Sequence, residues 1–242
     1  MLGATAIADL VLPRVCVTCG RNLNLTERHI CTVCLSDFPF TRFENIRSNP
    51  MANRFNELIQ RDIEESARGF ERYSLATALF FYSGNYREIT KSLKYRRNFS
   101  AGQYFSRLLG ERLSSSPLFS DVDTVIPVPL HWTRRLRRGY NQAGIIAGSI
   151  AEQLKGAILK RDILVRRRRT RSQALLRESE KTANVANAFK VRATRGFAPR
   201  HILLVDDVFT TGATIAACHR ALREAFGSDI RISAATLAFV GE

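Results

Sequence analysis

The segment from Ile202 to Thr214, Ile-Leu-Leu-Val-Asp-Asp-Val-Phe-Thr-Thr-Gly-Ala-Thr, limits the folds open to this chain more than any other. Four consecutive apolar residues, 202–205, make a strand buried on both faces, a property of parallel rather than half-exposed antiparallel sheets. Asp206 and Asp207 follow, and Thr210, Thr211 and Gly212 form a turn that opens a helix predicted over residues 213–226. Strand, turn and helix in that order build an α/β protein, and the carboxyl end of such a strand is where open parallel sheets bind ligands.

The chemistry of the segment narrows the ligand. Backbone N–H groups at a helix amino terminus, with nearby hydroxyls, suit a phosphate. Two adjacent ionised carboxylates suit vicinal hydroxyls, which donate to them. Together they ask for a sugar bearing a phosphate and a diol, the shape of a ribose 5-phosphate. The bland reading, a capped helix after a buried strand, accounts for Asp207 but not for the whole string.

The rest of the chain agrees with this class. After the Ser-Ser-Ser-Pro breaker at 114–117, strands are predicted at 122–129, 158–165, 188–191 and 230–240. Asn141 caps a predicted helix with apolar positions at Ala143, Ile146, Ala147, Ile150, Ala151 and Leu154. The arginine-rich stretch 166–184 has no clear period and reads as a long loop. Upstream, 58–72 is charged and helix-like, 75–82 is a strand closed by Ser83-Gly84-Asn85, and 86–95 and 101–113 are helical. Cys218 shares an apolar helix face with Ile215 and Leu222 and reads as a buried structural thiol.

Residues 1–45 hold Cys16-x2-Cys19 and Cys31-x2-Cys34, set apart by a polar stretch around 47–54. Two such pairs can converge on one tetrahedral Zn²⁺, and so small a segment needs a staple because its own core is thin. Disulfides and a redox pair are the alternatives. The first is at odds with a reducing compartment, and the second needs no second copy. His29 reads as a surface residue rather than a ligand.

Basic residues number 37 and acidic 22, for a net charge of +15, which favours polyanionic partners such as nucleic acid or phosphorylated small molecules. Arginine supplies 31 of the 37, and its planar fork suits bidentate phosphate contacts. No apolar stretch is long enough to span a bilayer, so no integral membrane association is expected. Residues 1–16 lack the basic start and apolar run of a secretory signal, which points to the cytoplasm. The absence of a GxxxxGK[ST] loop argues against a nucleoside triphosphatase.

The 202–214 segment resembles the phosphoribosyl pyrophosphate (PRPP) motif of type I phosphoribosyltransferases. The four cysteines, Leu93-Lys94-Tyr95, Pro127-Val128-Pro129, Arg138-Gly139-Tyr140-Asn141-Gln142, Ser172-Gln173 and Asn184 extend the resemblance to the ComF family of competence-related proteins, over nearly the whole chain. Lys181 departs from the arginine common there. The resemblance implies a type I phosphoribosyltransferase-like parallel sheet flanked by helices over 46–242, with hood elements at about 58–113 and the core at about 120–242, beside a zinc module at 1–45. It implies that Asp206 and Asp207 hold the ribose hydroxyls and serve as the catalytic pair. Thr210, Thr211, Gly212, Ala213 and Thr214 would cradle the 5-phosphate, with Mg²⁺ bridging pyrophosphate and ribose oxygens. Arg134, Arg135 and Arg138 fall where these enzymes carry a pyrophosphate loop, and Arg167 and Arg171 in the segment of the mobile catalytic loop. Any surplus of basic side chains could serve single-stranded DNA, and Tyr95, Phe99 and Tyr140 are candidate stacking aromatics or core residues. Two functions follow: a PRPP-binding protein that handles incoming DNA, or an active transferase acting on a nucleobase or other small acceptor.

Overall fold

The structure is a computed structural model that describes residues 13–66, 71–130, 139–166, 188–192 and 196–241. Among them, β1 (Ala76–Phe81), β7 (Arg231–Phe239), β6 (His201–Phe209), β2 (Thr124–Pro127) and β3 (Ile158–Leu159) form one sheet in the order β1-β7-β6-β2-β3. All four pairings are parallel, as the apolar runs require. The helices are α1 (Thr32–Ser36), α2 (Pro50–Ser66), α3 (Arg87–Tyr95), α4 (Phe99–Ser114), α5 (Gln142–Ala151) and α6 (Ala213–Phe226).

Alternate residues of each strand feed opposite faces. Leu203 and Val205 join the cluster that holds α3, α4 and α5, through Leu93, Phe105 and Ile146. Ile202 and Leu204 join the cluster that holds α2 and α6, through Phe55 and Leu222. The result is a three-layer α/β/α core, the predicted class. Cys218, Ile215 and Leu222 are all buried on the inner face of α6, as their spacing predicts.

Several boundaries differ from the sequence expectation. The apolar run 158–165 is not one strand: Lys160-Arg161-Asp162 interrupts it, and Arg161 Nη1 donates to Gly144 O at 2.7 Å. The second half becomes β4 (Leu164–Arg166), paired antiparallel with β5 (Phe189–Val191) in a separate ribbon. The helix expected over 58–72 starts earlier, at Pro50. Asn49 Oδ1 accepts from Ala52 N at 2.9 Å while its Nδ2 donates to Ala76 O at 3.0 Å, so an N-cap followed by proline sets the start. The polar residues near 50 thus belong to a helix docked on the sheet.

The cysteine-bearing segment also touches the sheet. Phe81 N donates to Pro39 O and Thr41 N to Leu79 O, so residues 39–41 run antiparallel along the edge of β1. Phe38 stacks on Phe105 at 5.7 Å and meets Phe80 edge-on at 5.3 Å, and Cys16 and Cys31 belong to the same buried cluster.

Candidate ligand site and metal centre

The ligand site forms where β2 and β6 part. β2 pairs with β6 only as far as Pro127 opposite Val205, and the second proline, Pro129, has no N–H with which to continue the ladder. β6 runs on beside β7 to Phe209, so Asp206 and Asp207 lie inside the strand rather than after it, with one edge exposed to the gap. The chain leaves β2 toward β3 and leaves β6 toward β7. The gap between them is therefore the point where the connections diverge, the usual ligand crevice of an open parallel sheet.

That gap is a cavity of about 770 Å³ lined by Lys94, Arg97, Tyr140, Asn141, Arg166, Asp206, Asp207 and Thr214 among others. Segments far apart in the sequence meet there. Asn141 stands at the start of α5, but its side chain does not cap the helix. Its Nδ2 donates to Val128 O at 3.0 Å and ties the helix to the end of β2. Tyr140 Oη donates to Leu93 O at 2.5 Å and its ring meets Phe99 edge-on at 4.7 Å, so Tyr140 braces the end of α3 rather than offering a free face. Tyr95 is 71% exposed while lining the same cavity. Arg97 takes a left-handed φ of 53°, uncommon for a residue with a side chain, at the turn between α3 and α4.

The two carboxylates are not equivalent. Lys94 Nζ is 3.0 Å from Asp207 Oδ2. Asp206 Oδ1 accepts from the Asp207 N–H at 2.8 Å, yet burial and the neighbouring Asp207 charge push its carboxyl up to about 7. Burial is the main cause of that rise, and Lys94 and Arg166 act against it.

Below the carboxylates, Asp206, Thr210, Thr211, Gly212, Ala213 and Thr214 line a second cavity of about 40 Å³ at the start of α6, with Asp206 and Thr214 common to both. Gly212 has a φ of 83°, and a Cβ there would lie 2.5 Å from Phe209 Cζ and 2.9 Å from Leu58 Cδ1, so only glycine fits. Thr211 Oγ1 accepts from Ala213 N at 3.4 Å. Arg54 Nη1 on α2 donates to Thr210 O and Val240 O, both at 3.1 Å, and fastens the turn from behind.

Of the residues expected at the site, the structure brings Asp206, Asp207 and Thr210 to Thr214 together. Arg134, Arg135, Arg138, Arg167 and Arg171 lie outside the described residues, as do Ser172, Gln173, Lys181 and Asn184. Arg166, at the start of that stretch, reaches the cavity and its guanidinium lies 5.2 Å from the Phe189 ring centre. Sequence reasoning missed Arg54 and Arg97 as site residues. Nothing in the local pattern marks them, because each is brought in by a different helix or turn.

The second centre lies among the cysteines. The four Sγ atoms of Cys16, Cys19, Cys31 and Cys34 all lie within 4.8 Å of one another, and Cys19 and Cys31 are 3.7 Å apart. Zn–S bonds of ~2.3 Å in tetrahedral geometry place sulfurs roughly 3.8 Å apart, so the cluster could hold a metal such as zinc. Burial alone would raise the Cys31 thiol, but the Arg21 guanidinium, 3.1 Å away, and the Cys34 N–H outweigh it and pull it down to about 6. Burial and the neighbouring thiols push Cys34 up. His29 is half-buried, not a surface residue, with its ring 5.4 Å from Tyr104, and stands outside the cluster.

No protein-family model matches the chain. It is 25% identical over 225 residues to Competence protein F of Haemophilus influenzae, covering 90% of this chain and 94% of that protein. It is 28% identical over 155 residues to Competence protein ComFC of Streptococcus pneumoniae, 64% of each. It is 31% identical over 135 residues to the DNA utilization protein YhgH of Salmonella typhi, with 53% of this chain spanning 56% of that one. Matches of this breadth to proteins so named, together with the four-cysteine cluster and the α/β core, support a place for the chain in the ComF family.

Proposed function

We propose that this protein binds PRPP together with Mg²⁺ at the β2–β6 gap and acts in the uptake or handling of single-stranded DNA. The observation that carries the reading is the shared wall of the two cavities: Asp206 and Thr214 line both the large gap and the small cradle, so one ligand can occupy them together. A ribose would set its diol against Asp206 and Asp207. Its 5-phosphate would rest among the N–H groups and hydroxyls of residues 210–214. The pyrophosphate would extend into the gap toward Lys94, Arg97 and Arg166, with Arg134, Arg135, Arg138, Arg167 and Arg171 as further donors from the adjoining stretches.

Mg²⁺ fits as an ion carried by the ligand. It prefers oxygen donors and keeps several waters, and here Lys94 already occupies one Asp207 oxygen. When bound, it would neutralise pyrophosphate charge. Asp206 and Asp207 would orient the ribose, the arginines would bind phosphate oxygens, and the walls would exclude water.

The DNA role is supported by the names of the relatives, two competence proteins and a DNA utilization protein, and by the +15 charge. We assign a structural Zn²⁺ to the four cysteines and a reducing, cytoplasmic setting that keeps them as thiolates. Among the described residues no helix is long and apolar enough to cross a membrane.

A second reading, transfer of the phosphoribosyl group to a nucleobase or other small acceptor, is favoured by Tyr95, whose exposed side chain lines the gap. In that reaction the acceptor forms a bond to the ribose C1 as the bond to pyrophosphate breaks, and pyrophosphate leaves. Calorimetric titration of PRPP with and without Mg²⁺, beside a pyrophosphate-release assay with a panel of bases, tests both. Binding without release supports the first reading, release identifies the transferase, and absence of binding removes both.

A further inference from the structure

The opposite end of the sheet carries a second concentration of arginine that the PRPP reading does not use. β6 and β7 each run nine residues, roughly 26 Å at ~3.3 Å per residue. The phosphate cradle lies beyond the carboxyl end of β6. Around the amino end of β7, a cavity of about 260 Å³ is lined by Arg47, Arg72, Arg223 and Arg231 with Tyr73, Ser74 and Ser233.

Two of the four guanidiniums are held in place by the fold. Arg223 on α6 is paired with Glu71 and donates through Nη1 to Gly227 O at 2.7 Å and Ile230 O at 2.9 Å. Its side chain is only 10% exposed, and its buried Nε has no partner among the described residues. Arg231 is paired with Asp121, which also accepts from His201 Nδ1 at 2.8 Å. The other two, Arg47 and Arg72, are exposed and make no hydrogen bond or ion pair among the described residues. Among the described residues, two of these four guanidiniums are paired with a carboxylate, Glu71 or Asp121, and two are not.

We propose that this cavity is a phosphate-binding site separate from the β2–β6 gap, in which Arg223 and Arg231 form a pre-set floor and Arg47 and Arg72 close on the anion. Guanidinium forks match phosphate oxygens in pairs, and side chains already held by neighbours lose little freedom on binding. The volume lies below the range that encloses a drug-sized ligand, so the site takes a phosphate group with its nearest atoms rather than a whole nucleotide. The group can come from a free phosphorylated compound or from the backbone of a nucleic-acid strand, and the chemistry is the same for both.

The test uses the full zinc-loaded chain in three forms: wild type, the double variant Arg47→Ala with Arg72→Ala, and a charge-matched control, Lys155→Ala with Arg192→Ala, at exposed positions outside the cavity. The probes are pyrophosphate and a fluorescent oligo-dT strand, each titrated at low and moderate salt. The site predicts at least tenfold weaker binding of one or both probes in the Arg47/Arg72 variant and less than a threefold change in the control. Loss confined to oligo-dT identifies a strand backbone as the source, and loss with pyrophosphate as well identifies a free phosphorylated compound. Unchanged binding of both probes, or an equal loss in the control, overturns the proposal. Circular dichroism melts of each variant check that all are folded, the outcome expected because neither replaced arginine in the cavity has a partner among the described residues.

Discussion

Lys94 Nζ stands 3.0 Å from Asp207 Oδ2 and so bridges the end of α3 to the strand that carries the acidic pair. It sets a cation against two carboxylates that would otherwise repel each other across a partly buried gap, and Arg166 adds a further attraction at Asp206. We expect Lys94→Met to destabilise the protein by about 1–2 kcal/mol at pH 8, as removing one partner of a partly buried pair does. Urea unfolding at that pH measures the size of the loss.

Asp206→Asn should have opposite effects on stability and on binding. The Asp206 carboxyl is pushed up to about 7 in the folded protein by burial and by the Asp207 charge, against an unfolded value near 3.8. Between those values the native state holds more protons than the unfolded chain, so this residue lowers stability as pH rises, and its cost is complete above about 7. The asparagine variant should therefore melt at a higher temperature than wild type at pH 8. The gap should narrow through pH 7 to 4 and close below. Mg²⁺-PRPP binding should fall in the same variant because a charged acceptor for the ribose hydroxyl is gone. Thermal melts across pH and calorimetry at pH 7.5 read the two effects separately.

Gly212→Ala should disrupt the phosphate cradle itself. The positive φ and the closeness of Phe209 and Leu58 make any Cβ a clash, with a cost of about 1–3 kcal/mol. Thr211→Ala leaves the backbone intact and removes only a hydroxyl. Both should weaken ribose 5-phosphate and PRPP alike, since the 5-phosphate is common to the two. Equal affinity of the Thr211 variant for ribose 5-phosphate would count against that placement of the phosphate.

The cysteine cluster should hold one zinc per chain, measured by metal analysis of reduced protein. Chelation should lower the melting temperature of the whole chain, not of a local segment. Cys16, Cys31 and Phe38 share a buried cluster with Phe80, Phe105 and Val205, so loosening one side exposes the other. Parallel shifts in far-ultraviolet circular dichroism and in scanning calorimetry would show the coupling, and two separated transitions would contradict it.

Single-stranded DNA binding should weaken steeply with salt. Where Arg134, Arg135, Arg138, Arg167 or Arg171 neutralises a DNA phosphate, its replacement by alanine should reduce the slope of log affinity against log salt by about 0.7. If these side chains serve both ligands, saturating PRPP with Mg²⁺ lowers DNA affinity, and DNA lowers PRPP affinity by the same factor. Titrations in each order measure the reciprocity.

Local sequence determined the elements whose signals are local. The four-residue apolar run of β6, the helix from Ala213 to Phe226, the glycine turn before it and the paired cysteines are each legible because period, spacing and residue type act over a few positions. It also determined that the two acids and the threonine turn adjoin. Tertiary structure alone decided what surrounds them. Lys94 and Arg54 reach the site from two different helices and Tyr140 from the bend before α5, and which face of a helix meets which strand depends on core packing at long range rather than on neighbours in the chain. The Asp206 shift belongs to the same class: a carboxyl shifts with burial and with charges brought close by the fold, and neither exists until the sheet and α3 have come together around it.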